Sequence, residues 1–140
     1  MMRKWPILLA LEILALTLLL ATVASPQESA VERRAARVRT WSQLHQAYRL
    51  SSFDDGAVAE TYSEFVVHTL AAKWSTIEQL QSIVAADSAF KKFVLRHIDE
   101  TTDRSELKAV LRHARQPGSR RTRKLRLAIA AAAQEALANP

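Results

Sequence analysis

The stretch "DSAFKKFVLRHIDETTDRSELKAVLRHAR", residues 87–115, contains two helix starts, and each start is followed by an apolar stripe. Asp87 and Asp103 stand where an N-cap side chain can accept a backbone N–H, and Glu106 completes a capping box with Asp103. Apolar side chains recur three and four residues apart after each cap, which is the period of a helix with one buried face. The expected stripes are Phe90, Phe93, Val94 and Ile98 in the first helix, and Leu107, Val110, Leu111 and Ala114 in the second.

Two further helices precede this stretch. The first starts after Asp54 or Asp55, because either side chain can act as the N-cap. The second starts at Ser75, with Glu78 three residues later as the partner in a second capping box. The first of these helices is expected to bury a stripe made of Val58, Tyr62, Phe65, Val66, Thr69 and Leu70.

A final helix follows the breaker "QPGS", residues 116–119. Its apolar stripe consists of Leu125, Ile129, Ala132 and Ala136. The sequence has only two Gly and no run of alternating apolar residues, which argues against a sheet. It has no Cys, so burial alone must stabilise the fold. The sequence therefore predicts an all-α fold, a small single-domain bundle of about five to six short helices.

The N-terminus has the layout of a secretory signal peptide. Two basic residues precede a mostly apolar run, residues 7–23, and small residues follow it. We expect cleavage after Ala24, so that residues 1–24 are the signal peptide and the mature protein is periplasmic or secreted. The alternative is an inner-membrane anchor over residues 7–24, since the run approaches the roughly 18 apolar residues of a membrane-spanning helix.

The mature chain is expected to divide into an extension and a domain. Three arginines of residues 25–37 occupy the angular sector that Trp41 and Tyr48 would bury if one helix ran through both segments. A helix cannot bury both halves of that face. We therefore expect residues 25–37 to project as a mobile basic extension and residues 38–140 to form the helical domain.

Positive charge is concentrated near the C-terminus of a chain whose formal net charge is +6. The stretch from Arg112 to Arg126 has several basic residues and no acidic one. Basic residues in the first turn of the last helix are disfavoured by the macrodipole, by about 0.3–1 kcal/mol each. Acidic residues of the same chain or an external anion should therefore compensate them. The candidate binding surface consists of Arg104, Lys108, Arg112, Arg115, Arg120, Arg121, Arg123 and Lys124.

Two groups of side chains raise the question of other chemistry. Glu60, Glu64 and His68 lie one helical turn apart, so together they could reach one cation, although a solvated polar face gives the same pattern. His97 falls on the apolar stripe of its predicted helix, while Asp99 points the opposite way, so the two should form no dyad. We expect His97 to be a neutral core histidine bonded to a carbonyl or hydroxyl. The alternative is a pH sensor, because burial depresses the pKa of histidine.

The motifs of the common enzyme classes are missing from the sequence. It contains no cysteine nucleophile, no G-x-S-x-G elbow and no glycine-rich phosphate loop. We therefore expect an exported, non-enzymatic binding protein without a cofactor, such as a periplasmic accessory, inhibitor or immunity-type factor. Its basic surface would engage an acidic protein partner or an anionic envelope component, whereas a secretory leader disfavours nucleic acid. The alternative function is a metal-dependent enzyme or metal carrier using Glu60, Glu64 and His68.

The leader gives the first testable prediction. The protein recovered from envelope fractions should be soluble and should begin at Ser25, as measured by N-terminal sequencing and intact mass. An intact Met1 N-terminus in the membrane pellet would instead establish the anchor.

Overall fold

The described part of the chain is helical. The computed structural model describes residues 26–51 and 54–139, so the predicted leader, residues 1–24, lies outside it. The seven α-helices are α1 (Pro26–Ala35), α2 (Trp41–Leu50), α3 (Gly56–Ala72), α4 (Ile77–Ala86), α5 (Ser88–Arg96), α6 (Arg104–Arg115) and α7 (Arg123–Ala138). A 3₁₀ turn, Trp74–Thr76, links α3 to α4. The predicted all-α fold is confirmed, with one or two more helices than expected. None of these helices has the length and apolar character needed to span a bilayer.

An antiparallel hairpin of α6 and α7 forms one side of the bundle. The two helices make the most extensive contact in the described chain, and α3 packs against α6 on the inner side. Small side chains on both helices let the backbones approach closely. The buried residues of the hairpin are Leu107, Val110 and Ala114 in α6, and Leu125, Ile129, Ala133 and Ala136 in α7.

Aromatic rings join three helices on the other side of the core. Phe93 of α5 is the central ring, with its centroid 4.9 Å from that of Tyr48 in α2 and 5.5 Å from that of Tyr62 in α3. Phe90 packs beside it, 5.9 Å away and nearly parallel. The tilted and edge-on arrangements are the favoured geometries of aromatic pairs. Phe93 therefore contributes to the packing of α2, α3 and α5 at once.

The predicted apolar stripes are largely confirmed. Every residue predicted for the stripe of α5 and its C-terminal turn is buried. Phe65, Leu111 and Ala132 are half-buried at the edges of their stripes, where they pack against the core. In α7 the fully buried alanine is Ala133, one position from the expected Ala132. The predicted helical phase is therefore right in α3, α5, α6 and α7, and Ala132 lies at the edge of its stripe.

The predicted caps at the two aspartates are confirmed. The side chain of Asp87 accepts the backbone N–H of Phe90 at 2.9 Å. Asp103 accepts the backbone N–H groups of Ser105 and Glu106, at 2.8 and 3.0 Å. The reciprocal half of that predicted box is not seen, because the Glu106 carboxylate contacts a histidine of α3 instead.

The capping box predicted at Ser75 is wrong. Helix α4 begins at Ile77, after the 3₁₀ turn, and Thr76 is its N-cap residue without a side-chain cap bond. The Thr76 hydroxyl instead donates to the carbonyl of Lys73 and accepts the indole N–H of Trp41, both at 2.8 Å. Glu78, the expected box partner, accepts a hydrogen bond from Ser119 at 2.6 Å. Residues distant in the chain are therefore the partners of Thr76 and Glu78, in place of a local cap.

The segment before α2 differs from the expected projecting extension. Residues Pro26–Ala35 form α1, and Val31 and Ala35 are 8% and 2% exposed. The chain turns after Ala35, and α2 begins anew with the hydroxyl of Thr40 accepting the backbone N–H of Gln43 at 3.2 Å. Two helices with separate phases can each bury an apolar face, which one continuous helix could not. The mobility of residues 25–37 and the boundary at residue 38 stay predictions.

The aromatic cluster gives a prediction on stability. Replacing Phe93 by Ala should lower the free energy of unfolding by about 3–5 kcal/mol, because the cavity would lie between three helices. Lys92→Ala is the matched control, since its side chain is exposed on the same helix, and it should change stability by less than about 0.5 kcal/mol. Chemical denaturation followed by circular dichroism measures both. Equal effects of the two substitutions would contradict the packing described here.

Candidate functional site

The predicted basic residues lie on the outer face of the α6–α7 hairpin, and all of them are exposed. A row along α6 consists of Arg104, Lys108, Arg112 and Arg115. Side chains at both ends of this row reach across to α7, so the row runs beside that helix. The other four residues, Arg120, Arg121, Arg123 and Lys124, occupy the turn before α7 and its first residues. We call these eight residues the basic surface.

Three members of the basic surface are held by the fold itself. Arg104 donates to the carbonyl oxygens of Leu137 and Asn139, at 2.8 and 3.0 Å, and so caps the C-terminal end of α7. Arg115 donates to the side-chain oxygen of Gln134 at 2.9 Å. These two arginines connect α6 to α7.

Arg121 contacts α4 rather than α7. Its guanidinium donates to the hydroxyl of Ser82 at 2.8 Å and lies 3.8 Å from a carboxylate oxygen of Glu78. Both charged side chains of this pair are about half exposed, so the pair contributes little to stability. Arg121 is the only member of the basic surface that forms an ion pair within the described residues.

The side chains of the remaining five members make no hydrogen bond or ion pair within residues 26–51 and 54–139. They are Lys108, Arg112, Arg120, Arg123 and Lys124. Arg123 and Lys124 form the start of α7, whose first turn contains no acidic residue and whose N-cap, Thr122, makes no side-chain cap bond. The helix dipole therefore opposes both charges. The sequence from Leu107 to Gln134 also contains no acidic residue.

Arg126 shapes the turn that presents these side chains, a role that the sequence did not suggest. Its guanidinium donates to the carbonyl of Gln116 and lies under the backbone of Gly118. A Cβ atom at position 118 would come within 3.0 Å of the Arg126 Cζ atom. A larger residue at this position would therefore make the Arg126 side chain shift by a few tenths of an ångström. The Nε atom of Arg126 is buried without a hydrogen-bond partner among the described residues.

The three residues of the alternative metal hypothesis are not grouped as metal ligands in the described part of the chain. Glu60, Glu64 and His68 are exposed on α3, and the Nδ1 atom of His68 lies 2.7 Å from a carboxylate oxygen of Glu106. Across the described ranges no group of three or more His, Cys, Asp or Glu side chains is arranged to hold a metal ion. His68 instead joins α3 to α6.

A polar network is buried between α3 and the turn after α5. His97, only 3% exposed, is the residue after the last turn of α5. Its Nδ1 atom lies 2.9 Å from the hydroxyl oxygen of Ser63, which is also buried. The Ser63 hydroxyl donates to a carboxylate oxygen of Asp99 at 2.6 Å. The expectation that Asp99 points away from His97 is therefore wrong, because α5 ends at Arg96 and the chain turns before Asp99. The two side chains form no direct pair, but both contact Ser63.

The opposite side of the His97 ring faces a second carboxylate. Its Nε2 atom lies 2.9 Å from the Oδ1 atom of Asp54, without the alignment of a hydrogen bond. Asp54 also pairs with Arg96. The sequence predicts either Asp54 or Asp55 as the cap of α3. Asp55 is the N-cap residue but makes no side-chain cap bond, while the Asp54 side chain joins the network.

The hydrogen bonds of this network determine which of its atoms carry protons. Burial acts to raise the pKa of Asp99, but hydrogen bonds from Ser63 and Thr101 outweigh it, so the pKa lies below its ordinary value. An ionised Asp99 only accepts, so it takes the single proton of Ser63. Ser63 must then accept its second bond from Nδ1–H of His97. In the neutral ring the Nε2 lone pair faces Asp54, and only the protonated ring has a proton there.

Two effects therefore oppose each other at His97. Burial lowers the pKa of the ring, and the negative charge of Asp54 acts to raise it. Arg96 lowers the pKa further and Asp99 raises it, and the net shift is downward. The expectation of a buried histidine bonded to a hydroxyl is thus confirmed in its contacts.

The described domain is a small all-α bundle with an exposed basic surface and a separate buried polar network. Comparison with protein-family models, with curated proteins and with solved structures finds no match to this chain.

His97 gives a prediction on pH dependence. Because its pKa is lowered by folding, the unfolded chain takes up a proton first as the pH falls below the ordinary histidine value of about 6.5. Stability should therefore decrease from about pH 6.5 down to the folded-state pKa and remain lower below it. The lowered carboxyl pKa values of Asp87, Asp99 and Asp103 act only below about pH 4.

Melting temperatures at pH 7 and pH 5 test this expectation. His97→Gln should reduce the loss at pH 5, because Gln cannot take up the proton. His68→Gln is the control, since the His68 ring is largely exposed. This variant should keep the decrease in melting temperature at pH 5 that protonation of His97 causes. An unchanged loss in His97→Gln would contradict the assignment.

Proposed function

We propose that this protein is an exported, non-enzymatic binding module that holds an anionic partner on its basic surface. The observation that carries the proposal is the set of five exposed basic side chains that have no partner within the described fold. They stand in a stretch of sequence, Leu107 to Gln134, without one acidic residue. Their mutual repulsion favours an external counter-charge.

Internal compensation is the competing explanation for this charge, and its support is small. Within the described residues, Glu78 is the one acidic residue of the middle of the chain that contacts the basic surface, at 3.8 Å from Arg121. Arg104 and Arg115 bind neutral oxygens of α7, which leaves their charges in place. The fold orients these arginines but does not neutralise them.

The partner that fits this surface is an acidic protein face or an anionic component of the cell envelope. The predicted leader would export the chain to the periplasm or beyond, where nucleic acid is a poor candidate. A role as an accessory, inhibitor or immunity-type factor is consistent with a helical scaffold that offers a charged face. The long exposed side chains would chiefly steer the encounter with such a partner.

Charge reversal at the unpartnered residues tests the proposal. Replacing Arg112, Arg120, Arg123 and Lys124 together by Glu should weaken binding to poly-L-glutamate about tenfold or more, a loss of roughly 1.4 kcal/mol for each factor of ten. Thermal stability should be equal or slightly higher, because acidic residues in the first turn of α7 favour the helix dipole. Wild-type binding should weaken from low to physiological salt.

A matched control separates this surface from net charge. Replacing Arg37, Arg49, Lys73 and Lys92 by Glu changes the net charge equally at exposed positions elsewhere. This control should retain most of the binding at physiological salt. If both variants bind as the wild type does, or if both lose binding equally, the basic surface is not the binding site.

A further inference from the structure

The exposed side of α7 is charged at its start, apolar at Leu127 and Ala131, and polar again at Gln134 and Glu135. Arg123 and Lys124 begin the helix, and the exposed residues of the next turns are Leu127 and Ala131. Leu127 is 63% exposed and is one of two large apolar side chains that the described fold leaves in solvent. It projects away from the buried face formed by Leu125 and Ile129 and their neighbours.

The apolar stretch has basic residues on two sides. Arg123 and Lys124 precede Leu127 by about one helical turn, and the α6 row runs alongside. The hydrogen bond from Arg115 to Gln134 fixes the position of that row beside the same outer face of α7. No acidic residue interrupts this surface before Glu135. In a helix that lies at a membrane interface, apolar side chains insert while neighbouring Lys and Arg contact anionic headgroups, and Leu127 with its basic neighbours offers one such contact.

We propose that the α6–α7 outer face docks on an anionic phospholipid bilayer, with its basic side chains at the headgroup phosphates and Leu127 at the acyl boundary. This inference rests on the proposed function and names its partner. Headgroup phosphates are mobile and numerous, so they match five long basic side chains that have no fixed partner. An acidic protein face would account for the charges but would leave Leu127 without a role.

The chemistry of each side chain fits this arrangement. Long Lys and Arg stems lie along apolar surface while their charged ends remain at the headgroups. Leu127 and Ala131 reach only a short distance from the helix, so the protein would rest on the surface of the bilayer. Such binding is reversible and depends on the fraction of anionic lipid.

A single label reports directly on the depth of Leu127. Because the chain has no Cys, Leu127→Cys gives a unique site for an environment-sensitive fluorophore on the exported protein. Its emission should shift to the blue with vesicles of phosphatidylcholine and phosphatidylglycerol, and brominated lipid should quench it. Vesicles of phosphatidylcholine alone should have little effect. Gln79→Cys, exposed on α4, is the control position and should report no insertion.

A second variant removes the apolar contact and keeps every charge. Leu127→Gln should weaken binding to the phosphatidylglycerol vesicles about tenfold, because the side chain loses its apolar transfer free energy. Its binding to poly-L-glutamate should be unchanged. Leu50→Gln is the matched control, since Leu50 is the other exposed leucine, at 60%. It should bind the vesicles as the wild type does.

The outcomes separate this inference from the proposed function. If Leu127→Gln binds vesicles as the wild type does and the label reports no insertion, the bilayer is the wrong partner. Binding to poly-L-glutamate that depends on the basic surface would then still support an acidic protein partner. If the charge reversal leaves both vesicle and poly-L-glutamate binding intact, both proposals fail. All variants carry the same N-terminus, so residues 1–25 contribute equally to each measurement.

Discussion

The close packing of α6 against α7 is the contact on which the rest of the described structure depends. Ala114, Ala133 and Ala136 are buried at or near this interface, and their small side chains let the two backbones approach. The row of basic residues on α6 lies beside the outer face of α7 only because of this approach. Arg104 then donates hydrogen bonds to carbonyl groups at the end of α7. These carbonyls lack a partner within the helix, because no further helical turn follows to supply N–H groups.

Local signals in the sequence were sufficient where one helix and its cap act alone. Asp87 and Asp103 cap their helices as predicted, and the stripe of Phe90 and Phe93 is buried. These features depend on residues within one or two turns of each other, so the helical period and the cap preference determine them. The exposure of the basic surface follows from the same helical phase.

The features that the sequence did not predict have partners far away in the chain. Thr76 accepts a hydrogen bond from the indole of Trp41, and Glu78 accepts one from Ser119, so Glu78 does not form the box expected with Ser75. The hydrogen bonds of Arg104, Arg115 and Arg121 also join neighbouring helices. No local pattern indicates such partners, because they become neighbours only when the helices pack. The prediction that the helix continues past Arg96 also placed His97 and Asp99 on opposite sides, whereas the helix ends at Arg96.

The buried network around His97 has a consequence for the order of folding. Ser63 is separated from His97 by 34 positions and from Asp99 by 36. Hydrogen bonds between residues so distant form only after α3 and α5 have met, since closing the intervening loop costs entropy first. The helices can form before the network does, whereas the rings of Tyr62 and Phe93 come together in the same step, because they join the same two helices. The network and the aromatic cluster therefore close the same loop of the chain, and the polar contact of Ser63 with His97 adds to the apolar contact of Tyr62 with Phe93.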